Sequence, residues 1–177
     1  MRRNEKEITN QDDIIQLLDS SFVGRLAMSN EGVPYVVPVN YSNKGISIFF
    51  HSAKEGKKIE CLRKNPQVCF EVDFSGEIIT GEDACAWSIE YGSVIGHGKA
   101  RFLEDAEEKR EALDLIMGRA VQSLEQSGKA KDGKVKESSG KAGKNLPKSF
   151  TYSDSAIAGV AVVRIDLDTV TGKRSGL

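Results

Sequence analysis

From Phe49 to Lys58 the sequence reads Phe-Phe-His-Ser-Ala-Lys-Glu-Gly-Lys-Lys, an apolar run that passes into a hydroxyl, a glycine and three lysines. Ser52 offers a hydroxyl, the helix start at Gly56 free backbone N–H groups, and Lys57 and Lys58 two ammonium groups. Groups of these kinds, gathered at a strand-to-helix junction, can hold a phosphate ester. The same residues also suit the solvated basic face of a helix, so residue type alone leaves both readings open. His51 ends the apolar run, where an imidazole either satisfies a structural hydrogen bond or moves a proton. Other catalytic signatures are missing: the chain has no G-x-S-x-G elbow, no H-E-x-x-H and no complete Walker loop. What remains is a site that binds and orients while a cofactor carries the reaction.

The elements that must position this junction follow from hydrophobic periodicity. Thr9-Asn10-Gln11-Asp12-Asp13 supplies caps and first-turn acids for a short helix whose apolar stripe is Ile14, Ile15, Leu17 and Leu18. Phe22–Ser29 and Pro34–Tyr41 read as a hairpin around Asn30-Glu31-Gly32, with Tyr35, Val37, Val39 and Tyr41 on one face and Val36, Pro38 and Asn40 on the other. Proline cannot donate to a ladder, so Pro38 belongs at an edge or an interruption. Ser42-Asn43-Lys44-Gly45 is expected to be a turn into a third strand, Ile46–His51, and a brief helix from Ala53 to Lys64 stops at Asn65-Pro66. Strands are expected at 67–74, at 86–103 with bulges near Gly92, Gly96 and Gly98, and at 159–167, after which Thr169–Leu177 trails off. The longest helical pattern spans 105–124. Strands in hairpin order favour a mainly β chain with flanking helices, a small antiparallel barrel of about six strands, over a doubly wound sheet.

Composition narrows the rest. A chain of 177 residues suits one domain over 1–177. With 25 basic and 26 acidic side chains there is no bulk electrostatic case for nucleic acid or an anionic membrane. No apolar run reaches the length of a spanning helix and no apolar leader follows Met1, so the chain is expected to be soluble and cytoplasmic. Cys61, Cys69 and Cys85 are odd in number and lack C-x-x-C spacing, and with only His51 and His97 no metal site is expected. From about 126 to 148 the composition shifts to Lys, Gly and Ser, with seven lysines facing Asp132 and Glu137. Such a segment buries too little apolar area to offset its ordering entropy and is expected to be a mobile loop.

A longer series of motifs carries a resemblance: Gly24-Arg25-Leu26-Ala27, the run Pro34–Tyr41, Phe50–Ala53 with Gly56-Lys57-Lys58, and Asn65–Phe70. It continues through Trp87-Ser88, Tyr91, Ser93–Gly96, Gly98-Lys99-Ala100, Val163-Arg164-Ile165 and Thr171-Gly172-Lys173. This order resembles the pyridoxamine 5′-phosphate oxidase-like FMN-binding split barrel, and within it the nitroimidazole reductase branch. The resemblance implies a six-stranded antiparallel split barrel that forms a homodimer with a flavin, FMN or else FAD, at each interface site. Carried onto this chain, the ring-contacting strand would run from Val37 to Tyr41, through Pro38, Val39 and Asn40, with Asn40 the best polar candidate. The phosphate would fall to Ser52, Ala53, Lys57 and Lys58 beside Phe50 and His51. Trp87, Tyr91 and Ser93 would reach the pocket from the partner subunit. The implied activity is reduction of a small acceptor such as a nitro-aromatic, with His51 as the candidate catalytic residue. The alternative is a flavin- or haem-binding protein without turnover. Vitamin-phosphate oxidases carry a histidine near the C-terminus that this chain lacks, which argues against that substrate.

Overall fold

The computed structural model describes residues 4–126 and 149–176. In chain order its elements are β1 (Glu7–Ile8), α1 (Gln11–Ser20), β2 (Val23–Asn30), β3 (Val33–Asn40), β4 (Ser42–Lys44) and β5 (Ser47–Ala53). There follow α2 (Lys57–Lys64), β6 (Gln67–Ile79), β7 (Ser88–Phe102), α3 (Ala106–Gln126), α4 (Asp154–Gly159) and β8 (Val160–Ser175), with 3-10 turns at Asn4–Lys6 and Ala84–Ala86. The strands form one antiparallel sheet in the order β3-β2-β6-β7-β8-β5-β4, with β1 added against β8.

The closure of this sheet follows from its connectivity. β3 lies at one edge and ends at Asn40, β4 lies at the other and begins at Ser42, and only Tyr41 stands between them. Two edges one residue apart can coexist only if the sheet curls round on itself, and a barrel split between those edges results. Pro34 and Pro38 occupy β3, where one side of the strand has no ladder to break. Inside the barrel Leu26, Tyr41, Ile48, Phe50, Phe70, Val163 and Ile165 are fully or almost fully buried, with Ile14 and Leu18 of α1 and Cys61 and Leu62 of α2 joining the same core. Tyr41 meets Phe70 edge-on at 4.9 Å between centroids and donates its hydroxyl to the Leu18 carbonyl. A second core lies outside the barrel, where Ala112, Leu113 and Ile116 of α3 cover Phe49, Leu103 and Val162 with Ile157 of α4.

Eight strands stand where about six were expected, for local reasons. Ser42–Lys44 is not a turn: it pairs with Phe49–Ser47, and the reversal falls to Gly45 at φ 60°. Residues 169–175 do not trail off, because β7 is long enough to pair with them as far as Ser175, and β1 adds to that extension at Lys173 and Gly172. Of the three β7 glycines expected at bulges, only Gly98 adjoins a register shift against β8, where a Cβ would come within 2.0 Å of the Asp166 carbonyl oxygen. Gly92 and Gly96 instead leave room for the side chains of Phe74 and Leu167. α3 begins after Asp105, whose carboxylate accepts from the Glu107 and Glu108 N–H groups at 2.9 and 3.0 Å. α4, unforeseen, is capped by Ser153, which accepts from the Ala156 N–H. Of the three free cysteines Cys61 is buried, Cys69 half-buried and Cys85 exposed. The lysine-rich segment lies outside the described residues apart from Gln126, the last residue of α3.

Candidate functional site

β5 delivers the junction singled out in the sequence. Its ladder with β8 runs from Ser47 opposite Asp166 to Ala53 opposite Val160. Alternation turns Ile48, Phe50 and Ser52 to the interior side and Ser47, Phe49 and His51 to the side that α3 covers. The chain then reaches Gly56, whose φ of 112° is backbone that a side chain strongly disfavours, and enters α2 with Gly56 as a cap that offers no side-chain acceptor. The first intrahelical bond is from the Glu60 N–H to the Gly56 carbonyl at 3.1 Å, so the N–H groups before it have neither a helical partner nor a side-chain cap.

Two cations stand at this open helix end. The Lys57 ammonium lies 4.4 Å from the Tyr35 ring centroid, and the Lys58 ammonium 5.3 Å from that of Phe50. Neither has a carboxylate partner among the described residues, whereas Lys64 at the far end of α2 pairs with Glu31 at 3.5 Å. Aromatic faces steady the two ammonium groups without neutralising them, which leaves their charge available to an anion. Burial lowers the pKa of Lys58. The His51 pKa is lowered as well, first by the protein packed around a ring whose residue is otherwise exposed, then by the Lys58 cation. At neutral pH His51 is therefore an uncharged imidazole beside a cationic, uncapped helix start.

The chain brings only part of the expected set to this place. Lys57 reaches Tyr35 of β3, which joins that strand to the cradle. On β3 the side chains of Val37 and Val39 turn into the core while Pro38 and Asn40 are exposed on the outer face, so the two valines can offer a ligand only backbone. Phe50 is wholly buried and is likewise limited to its backbone. Trp87 and Ser93 lie elsewhere. His51 pairs with Val162 of β8 and Ser93 with Lys173, eleven residues further along the same strand, about 35 Å of strand contour. Trp87 is 55% exposed and donates its indole N–H to the Gly81 carbonyl at 3.1 Å in the loop between β6 and β7, and Tyr91 packs under Lys6.

Sequence comparison places the geometry in a family. The model of the pyridoxamine 5′-phosphate oxidase family matches residues 10–174. The chain belongs to the pyridoxamine 5′-phosphate oxidase family. Among solved structures, a candidate 5-nitroimidazole antibiotic resistance protein from Bacteroides thetaiotaomicron is 30% identical, with 95% of this chain and 86% of that chain covered at a TM-score of 0.71. An FAD and heme binding protein from Mycobacterium smegmatis shares the fold at 16% identity, with 97% of this chain, 74% of that chain and a TM-score of 0.75. So does an FAD-binding protein from Mesorhizobium loti, at 24% identity with 97% and 98% covered and a TM-score of 0.58. No curated protein matches the chain.

Within this family frame the structure adds residues that spacing alone did not reveal. Tyr35 precedes Lys57 by 22 positions, and no local rule links them; only the closure of the barrel does. Arg25 bonds both Glu71 and Asp73 and sits opposite Pro38, so an ion cluster borders the exposed residues of β3. Among the described residues no group of three or more His, Cys, Asp or Glu could hold a metal ion, and no helix is long and apolar enough to cross a membrane.

Proposed function

We propose that this chain is a flavin-dependent oxidoreductase of the nitroimidazole reductase type. The observation that carries the reading is the uncapped start of α2 with two ammonium groups that no carboxylate neutralises, at the end of a strand bearing Ser52. That donor set fits a phosphate monoester: backbone N–H groups of Lys57 to Ile59 and Ala53, the Ser52 hydroxyl, and Lys57 and Lys58. The cluster offers one anion cradle, which suits FMN. The isoalloxazine would lie along the backbone of Val37–Asn40, where Pro38 and Asn40 are exposed. The 30% identity to a candidate nitroimidazole resistance protein supports the choice of acceptor.

When bound, reduced FMN supplies two electrons as hydride. The chain's own residues bind, orient and manage protons. Conversion of a nitro group to a nitroso group takes two electrons and two protons and releases water, so one proton beyond the hydride must arrive from a donor. His51 is the only histidine at the junction, and its lowered pKa makes it an acid below its usual range and a neutral hydrogen-bond donor above it. Trp87 and Ser93 would complete the pocket from a second copy, because one copy holds them at the far end of β8 from the cradle.

The test is anaerobic. Purified yellow protein is reduced with a nicotinamide donor, a nitroimidazole is added, and flavin absorbance is followed. Reoxidation in step with nitroimidazole consumption is expected. A flavin that stays reduced would remove the acceptor from the proposal, and a Soret band in the purified protein would point to tetrapyrrole binding instead.

A further inference from the structure

The two lysines at the start of α2 reach opposite sides of the split. Adjacent helical positions lie about 100° apart, so their side chains leave the helix toward different edges of the sheet. Lys58 stands over Phe50 of β5, its ammonium 5.3 Å from the ring centroid, and Lys57 stands over Tyr35 of β3 at 4.4 Å. In the sheet order β3 forms one edge, and β5 is separated from the other only by β4. β4 pairs with Ser47, Ile48 and Phe49 and then stops, so from Phe50 to Ala53 the described residues supply a strand on the β8 side alone. Tyr35 is held in register by Met28 of β2 and has no strand on its other side. α2 bridges these two edges, with Ile59, Cys61 and Leu62 buried beneath it.

The two aromatic contacts differ in what they can tell. Phe50 is wholly buried in the barrel core, and its loss would disturb the fold before it touched the lysine. Tyr35 is half-buried and packs against the same core beside Val37, while Lys57 is exposed. The Tyr35 hydroxyl has no hydrogen-bond partner among the described residues, so the ring face is what this residue offers to its neighbour.

An exposed lysine spreads its ammonium over many rotamers, and fixing it on an anion costs that freedom. A ring face beneath the ammonium removes part of the freedom beforehand and brings no opposite charge. A carboxylate would hold the lysine and neutralise it, as Glu31 does for Lys64.

We infer, on the cradle proposed above, that Tyr35 is a positioning residue for phosphate recognition. Its ring holds Lys57 at the β3 side of the split while Phe50 holds Lys58 at the β5 side, so that each edge of the barrel presents one cation to the flavin phosphate.

FMN and riboflavin differ by that phosphate, and both are titrated into the full-chain apoprotein by flavin fluorescence. Lys57→Ala should lower the ratio of FMN to riboflavin affinity by about fivefold or more. Tyr35→Leu keeps apolar bulk against the core and should lower the same ratio by about three- to fivefold, with riboflavin affinity held within about twofold. Tyr35→Phe should keep the parent ratio. In a Lys57→Ala chain, Tyr35→Leu should change the ratio by less than about twofold, because the ring then has no ammonium to hold. A mere loss of packing would weaken both ligands together and would persist without the lysine, which would overturn the positioning role. An unchanged ratio in Lys57→Ala would remove the cradle and this role with it. A lowered ratio in Lys57→Ala beside an unchanged one in Tyr35→Leu would keep the cradle and overturn Tyr35 alone. Equal losses in Tyr35→Leu and Tyr35→Phe would also overturn it, by assigning the effect to the hydroxyl.

Discussion

In the proposed cradle, Lys57 and Lys58 are the residues on which retention of a flavin phosphate would turn. A hydrogen bond to a charged group contributes about 1.5–3 kcal/mol, and the exposure of Lys57 puts it at the low end of that range. Lys57→Ala combined with Lys58→Ala should therefore weaken FMN binding by about tenfold or more, read by fluorescence titration of the apoprotein. Full flavin occupancy in the purified double variant would place the phosphate elsewhere. His51 makes a separate prediction because folding lowers its pKa. If it donates the second proton, the rate of acceptor-driven reoxidation should rise as pH falls through a midpoint below about 6.5, since only then is the imidazolium populated. His51→Gln should flatten that rise. Lys58→Ala, saturated with added FMN, should move the midpoint upward, and by only part of the shift, because burial outranks the lysine as its cause. A pH profile unchanged in His51→Gln would leave the proton to solvent.

Gly24 on β2 shows how the elements depend on one another. A Cβ built there would fall 2.2 Å from the Phe70 ring, which itself packs edge-on against Tyr41 at the joint between the two sheet edges. Gly24→Ala should cost about 1–3 kcal/mol in urea unfolding, the usual penalty for overfilling a packed core, and Phe70→Leu in the same chain should recover part of it. Independent, additive losses would mean that the penalty at Gly24 does not arise from the Phe70 ring. The element order and the β2–β3 hairpin could be read from the sequence because alternation and turn residues are local signals. So could α1, whose cap Asn10 accepts from the Asp12 N–H at 2.9 Å. β4, the extension of β8 and α4 could not. Ser-Asn-Lys is turn-like by composition, and residues 169–175 become strand only because β7 is there to pair with them. The same division runs through the site. Ser52, Gly56, Lys57 and Lys58 were legible as one short stretch, whereas the aromatic rings that steady the lysines, and the inward turn of Val37 and Val39, depend on how the barrel closes.

One copy of the molecule is polarised. The cradle lies where β5 meets the start of β8, and Trp87 and Ser93 lie toward the opposite end of β7, so a pocket that uses both needs two copies. The outer face of the sheet has the character such a contact requires. Val36 and Ile95 are 60% and 41% exposed on it, on the same side as Pro38 and Asn40, and the hairpin of β6 and β7 adds the cross-strand pair Ile78 and Ile89. Scattered apolar residues are ordinary, but a set continuous with the proposed flavin strand suits a second copy. Ile95 stands directly opposite Glu71, so Ile95→Lys puts a cation where the fold already holds a carboxylate and should leave the monomer intact while charging the face. Light scattering should then report a monomer, against the dimer expected of the parent chain. FMN retention should fall at least tenfold with it, although the substitution is far along the sheet from Lys57 and Lys58. A monomeric Ile95→Lys protein that keeps its full complement of flavin would show that one copy suffices, and would confine the site to the junction from Phe50 to Lys58.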